Sequence, residues 1–336
     1  MILDEREGPD DGLVLLATQA MRARRRAVAI AFVWAWELAW GAAIAWPVAR
    51  VVKAAYGDNP AGDMVLFRPG SLELIDLVWH AHLAPSALIG HWTVLVPVAL
   101  VSGLFPLAAL ITSIAYTTRS LGAPPLGALA RRALAALPAF ATLLLFASVV
   151  QMVVVGLAFA IGSGLADSLT PSLGEALAQQ LAILLAAPFI VASAGIGIVH
   201  DLSRAAVVRF RVPAVRASAL AWNAFRRHPL SGYWSWIWRT GAGWVPVLAG
   251  SVVASRLGGR EGVPLLLLAA MHQLVMGARV ALRASWLAKA LRKVDHAHRV
   301  LRVRRPPPDA VVTPPREIET AARTDEPAAP IPDPDA

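Results

Sequence analysis

The chain has no cysteine, and only 16% of its 336 residues are charged. The first absence excludes structural disulfides, thiolate metal sites and a catalytic thiol. The second sets it apart from soluble domains, which carry about 25% charged residues. Catalytic signatures are missing too: there is no His-Glu-x-x-His, Gly-x-Ser-x-Gly, phosphate-binding loop or Gly-x-Gly-x-x-Gly. We therefore expect a protein that is not an enzyme, with no cofactor and no catalytic residues. Two histidine pairs, His80-x-His82 (with His91 nearby) and His296-x-His298, place their members on nearly opposite sides of a helix, so no metal site is expected.

What is abundant is apolar sequence, 57% hydrophobic with mean hydropathy +0.57. It is gathered into six runs, roughly Ala27–Val48, Ala87–Ala115, Ala136–Ile161, Ala176–Val199, Gly232–Val253 and Val263–Leu287. Each is long enough to cross about 30 Å of hydrocarbon as a helix. None shows the period-two alternation of a barrel strand, so helices must satisfy the backbone in lipid. The expected fold class is all-α: a polytopic membrane bundle of six transmembrane helices.

The net charge of +9 is placed to orient the chain. Arg6, Arg22, Arg24–Arg26, Arg119, Arg131, Arg132, a cluster from Arg204 to Arg227 and another from Lys289 to Arg305 fall on one side. Arg50, Lys53, Arg68, Arg256 and Arg260 fall on the other. By the positive-inside rule both termini are expected in the cytoplasm, with the spans in a bacterial inner membrane. Basic residues at span ends favour anionic lipid headgroups over nucleic acid as a partner. No cleavable signal peptide is expected, because Glu37 interrupts the first apolar run and no small-residue cleavage site follows it.

Three regions result. Residues 1–26 are an N-terminal cytoplasmic segment with an amphipathic helix, and 27–305 are the membrane domain, whose one long outer loop is 54–86. Within that loop, Leu72–Leu83 reads as a short interfacial helix after Ser71. Gly162-Ser163-Gly164 reads as a hairpin turn. Residues 306–336 hold nine prolines and seven acidic residues, a composition expected to stay disordered and able to offer a Pro-rich ligand to a partner protein.

A pattern recurs before each odd-numbered span: Leu16-Ala17-Thr18-Gln19-Ala20-Met21, Leu129-Ala130-Arg131-Arg132-Ala133-Leu134 and Leu220-Ala221-Trp222-Asn223-Ala224-Phe225. Spacing i, i+1, i+4, i+5 lies on one helical face, so each copy predicts a cytoplasmic amphipathic interface helix feeding a transmembrane hairpin. Three such hairpins make the bundle. Arg131, Arg132, Arg226 and Arg227 are the expected lipid contacts. The arrangement resembles the six-span membrane domains found alone in bacteria and fused to glycerophosphodiester phosphodiesterases. The residues that carry the resemblance are Asp201–Val208, Ala217, Ala221, Phe225, Arg227-x-Pro229 and the phrase Gly62–Gly70. The resemblance implies an inner-membrane protein; the phosphodiesterase chemistry of fused relatives sits in a domain this chain lacks.

Ionisable side chains inside a span are costly and point to function. Glu37, between Trp36 and Trp40, is the deepest, and His272 and Gln273 lie near mid-depth of the last span. Arg239 is a candidate partner for Glu37, although Tyr233, Trp234, Trp236 and Trp238 before it read as an interfacial belt. Arg279 and Arg283 are expected to snorkel, and Gln151, Gln179 and Gln180 to hydrogen-bond between helices. Two functions follow. The first is a non-catalytic scaffold that contacts lipid or a partner protein. The alternative is a small-solute permease that uses Glu37, His272 and Gln273 in a mid-membrane polar site.

Overall fold

The computed structural model describes residues 13–23, 26–57, 84–118, 124–257 and 262–304. Met1–His298 is one compact unit; Arg299–Ala336 forms another, of which only the end of the last helix is described. The expected interfacial helix Leu72–Leu83 and the tail 306–336 lie outside the described residues.

Nearly all described residues are helical. In chain order the helices are α1 (Ala27–Tyr56), α2 (Ala84–Ser102), α3 (Leu104–Ala115), α4 (Leu126–Leu173), α5 (Glu175–Phe210), α6 (Ala214–Arg227), α7 (Pro229–Leu257) and α8 (Val263–Arg304). Two three-residue strands, β1 (Leu13–Leu15) and β2 (Tyr116–Thr118), pair antiparallel with Leu13 opposite Thr118 and Leu15 opposite Tyr116.

Five helical stretches are long and apolar enough to cross a membrane: Ala27–Ala54, Ile89–Ala115, Leu126–Leu173, Glu175–Phe210 and Val263–Val300. α7 has 29 residues but is not among them, because Arg239 and its many Trp and Gly residues dilute its hydropathy. Several helices exceed the bilayer: the 48 residues of α4 run about 72 Å at 1.5 Å per residue. Proline is tolerated inside α1, α2, α4, α5 and α7, as in membrane helices, where neighbouring helices, hydroxyl side chains and local 3-10 adjustments re-satisfy the freed carbonyls. Gly103 divides α2 from α3, and Pro106 follows in the first turn of α3, where a missing N–H does no harm.

The packed core sits at one end of the bundle. Met21, Leu110, Ile111, Ile114, Phe140, Ile198, Leu202, Leu287 and Leu291 are all fully buried there, where α1, α4 and α7 begin and α3, α5 and α8 end. Towards the other end the apolar side chains face outwards: Phe146, Met152 and Phe159 on α4, Ile183 and Leu184 on α5, Leu266 and Leu274 on α8. Only 6% of the apolar window of α4 is buried. Soluble monomers do not expose such continuous apolar surface; here its solvent is hydrocarbon. The chain is an all-α membrane protein.

The three segments that share the Leu-Ala-x-x-Ala pattern take three forms. Leu16–Met21 is not an amphipathic helix: β1 precedes it, Thr18–Ala20 make a 3-10 turn, and Leu16 N–H bonds Ala115 O at 2.9 Å. The preceding β1 pairs with β2, Arg209 and Arg292 bond the carbonyls of Leu16 and Met21, and Met21 lies in the core. Leu129–Leu134 is helical but continuous with the following span inside α4, since Pro138 does not interrupt it. Only Leu220–Phe225 lies on a separate amphipathic helix, α6, which buries Ala214, Ala217, Ala221 and Ala224 and leaves Val215 and Trp222 exposed. Gly162–Gly164, expected as a turn, is helical. The reversal is the single residue Gly174, whose φ of 78° favours glycine.

Candidate basic groove

At the packed end, Tyr116 of β2 is the hub. Its hydroxyl donates to Val208 O of α5 at 3.1 Å, and its carbonyl accepts from Arg26 at 2.9 Å. Over its ring lie two guanidiniums: Arg132 of α4 at 4.0 Å from the centroid and Arg211 at 6.0 Å. Arg211 ends α5 in the left-handed conformation, φ 52° and ψ 44°, with its N–H bonded to Val207 O at 2.8 Å. It is the one non-glycine with positive φ among the described residues. Pro213 then starts α6.

These residues border a groove of about 980 Å³ between α3, α4 and the α5–α6 connection. Thr112, Tyr116, Arg131, Arg132, Thr142 and Arg211 supply its polar side chains; Ala135, Ala139, Val208 and Val212 line much of the rest. Thr112 is 1% exposed, and its hydroxyl has no hydrogen-bond partner. Its neighbour Ser113, by contrast, donates to Leu110 O at 2.7 Å.

Of the expected lipid contacts, Arg131 and Arg132 are thus brought together with Arg211, while Arg226 and Arg227 lie in the last turn of α6, outside the groove. The mid-membrane candidates do not converge. Glu37 is half-buried, and no hydrogen bond or ion pair among the described residues joins it to Arg239, His272 or Gln273. Arg239 donates instead to Ser285 of α8 at 3.2 Å and to Ser235 O at 2.8 Å. His272 is exposed; Gln273 Oε1, Trp34 Nε1 and Trp36 Nε1 are buried without partners. Arg279 stacks on Trp244 of α7 at 5.5 Å. Gln151 bonds Ser193 O across α4 and α5 at 3.4 Å, whereas Gln179 bonds Glu175 within its own helix, since the two are four residues apart.

Sequence reasoning missed the polar ties of the packed end. Asp295 of α8 is 5% exposed, accepts from Arg209 of α5 at 2.9 Å and from the Thr18 hydroxyl, and Arg209 also donates to Leu16 O at 3.2 Å. Asp201 accepts from Trp286 of α8 at 2.9 Å and pairs with Arg204 at 3.4 Å. The available signal was a lone carboxylate in each of two strongly basic helix ends. No known protein family, curated protein or solved structure matches this chain.

Proposed function

We propose that this chain is a non-catalytic component of a bacterial inner membrane, whose basic end lies on the cytoplasmic side and engages anionic headgroups of the inner leaflet. The observation that carries this reading is the meeting of Arg131, Arg132 and Arg211 at the packed end, beside the helix termini richest in arginine. In this reading α7 is the sixth crossing, both termini are cytoplasmic, and Val215 and Trp222 of α6 dip into the acyl boundary while Arg226 and Arg227 stay among headgroups. The pattern shared with the membrane domains of glycerophosphodiester phosphodiesterases accords with such a role.

Fusing a periplasm-active and a cytoplasm-active reporter to each terminus tests the orientation. Activity of only the cytoplasmic reporter at both ends is expected, and a periplasmic signal at either would overturn the reading. In nanodiscs, replacing Arg131, Arg132, Arg226 and Arg227 together by Gln should weaken retention of anionic lipid by more than tenfold, taking about 1 kcal/mol per arginine.

The permease reading draws on Gln273 Oε1 and Trp36 Nε1, buried polar atoms left without partners. Because the chain has no cysteine, Glu37→Cys introduces a sole thiol. Slow labelling by a membrane-impermeant maleimide is expected of a sealed interior; rapid labelling would favour a water-filled path and the permease.

A further inference from the structure

The groove at the packed end has three properties that arginines at a membrane surface do not by themselves require. Its cations converge from two chain segments: Arg131 and Arg132 from the first turns of α4, Arg211 from the end of α5. Among the described residues, neither Arg131 nor Arg211 meets a carboxylate. Thr112 turns a buried hydroxyl with no partner onto the same recess. Such an atom is costly unless something bonds it. Finally, the groove is long and mostly apolar. It follows α4 from Arg131 past Ala135 and Ala139 to Thr142, twelve residues spanning about 16 Å of helix.

We infer that this groove is a binding site for one phospholipid whose headgroup carries two negative charges. The guanidinium forks of Arg131, Arg132 and Arg211 match phosphate oxygens, one acyl chain lies along Ala135 and Ala139, and the Thr112 hydroxyl bonds an oxygen of the lipid's glycerol or ester region. Three cations around one recess leave a large positive remainder beside a single phosphodiester, which is why a doubly charged headgroup fits better. Inorganic phosphate satisfies the arginines but leaves the apolar length empty. The left-handed Arg211 fits this assignment, since backbone strain is retained where the aim of a side chain matters. The inference rests on the reading that the basic end faces the inner leaflet, and it names the occupant.

The test uses the full chain, delipidated in detergent and titrated by native mass spectrometry with tetraoleoyl cardiolipin, dioleoyl phosphatidylglycerol or inorganic phosphate. Cardiolipin should bind about tenfold more tightly than phosphatidylglycerol, and millimolar phosphate should not displace it. Arg131→Gln with Arg211→Gln should weaken cardiolipin by more than tenfold, about fivefold per arginine. Ala139→Trp, which fills the groove and removes no charge, should weaken it comparably and keeps the test open if the arginine pair fails to fold. Arg50→Gln with Arg256→Gln removes equal charge at the opposite end of the bundle, outside the groove, and should change affinity by less than about twofold. Equal loss in that control, equal binding of the two lipids, displacement by phosphate, or unchanged binding in Ala139→Trp would each overturn the inference. If the termini proved periplasmic while cardiolipin binding kept this pattern, the cellular reading alone would fall. Cytoplasmic termini with indifferent groove variants would sink the site alone.

Discussion

Arg211 offers a separation of backbone from side chain. Its φ of 52° places Cβ against the following carbonyl, which costs an L-residue about 1–2 kcal/mol and a glycine almost nothing. Arg211→Ala and Arg211→Gly delete the same guanidinium and the same contact with the Tyr116 ring at 6.0 Å. They differ in local backbone cost alone. Glycine gives back about 0.5–1 kcal/mol through its freer unfolded chain, so the glycine variant should be the more stable of the two by roughly 0.5–1 kcal/mol. Twelve tryptophans provide the signal: unfolding in detergent followed by Trp fluorescence should show Arg211→Gly melting one to a few degrees above Arg211→Ala, taking about 2–4 °C per kcal/mol. Both variants should lose groove-bound lipid alike. An alanine variant equal to or more stable than the glycine one would refute the strain argument. If only one of the two lost lipid, backbone shape rather than charge would be holding the ligand.

Two further outcomes follow from the polar ties and the close helix contacts. Asp295→Ala leaves Arg209 buried without its carboxylate and should destabilise the protein by about 3–5 kcal/mol; limited trypsin digestion should then cut faster at the exposed Arg22, and an unchanged cleavage rate would show that the pair does not hold the N-terminal segment. Gly195 packs under the Tyr233 hydroxyl, which donates to Val191 O at 2.9 Å; Gly195→Ala should cost about 1 kcal/mol in the native background and far less beside Tyr233→Phe, a coupling that a double-mutant cycle measures directly.

The membrane helices are legible in the sequence because each apolar run is continuous and its ends carry arginine. Their true lengths are not. Gly162-Ser163-Gly164 reads as a turn under rules set by water, which competes for every loosened backbone group; in α4 it sits within one unbroken helix. The first repeat copy fails for a different reason. Leu13–Leu15 has its partner in Tyr116–Thr118, about a hundred residues on, and no local periodicity announces such a pairing. The groove is half legible. Arg131 and Arg132 stand out as a basic pair before a span, but Arg211 joins them only once α5 ends in a left-handed turn, and Thr112 looks like any threonine of an apolar helix until its surroundings are assembled. Glu37, the most conspicuous residue in the sequence, meets none of its expected partners.

The ties around β1 have a consequence for how the molecule is made. Thr18 and Met21 are fastened to Asp295 and Arg292, so each is held by a partner synthesised more than 270 residues after it. Until α8 has been synthesised, the segment is held by β2 and by Arg209 of α5 but not by Asp295 and Arg292, and a nascent chain stalled before them lacks that clasp. Closure of the bundle therefore waits until translation has passed residue 295, and a protease acting at Arg22 would meet a more loosely held segment in a shorter nascent chain than in one that includes α8.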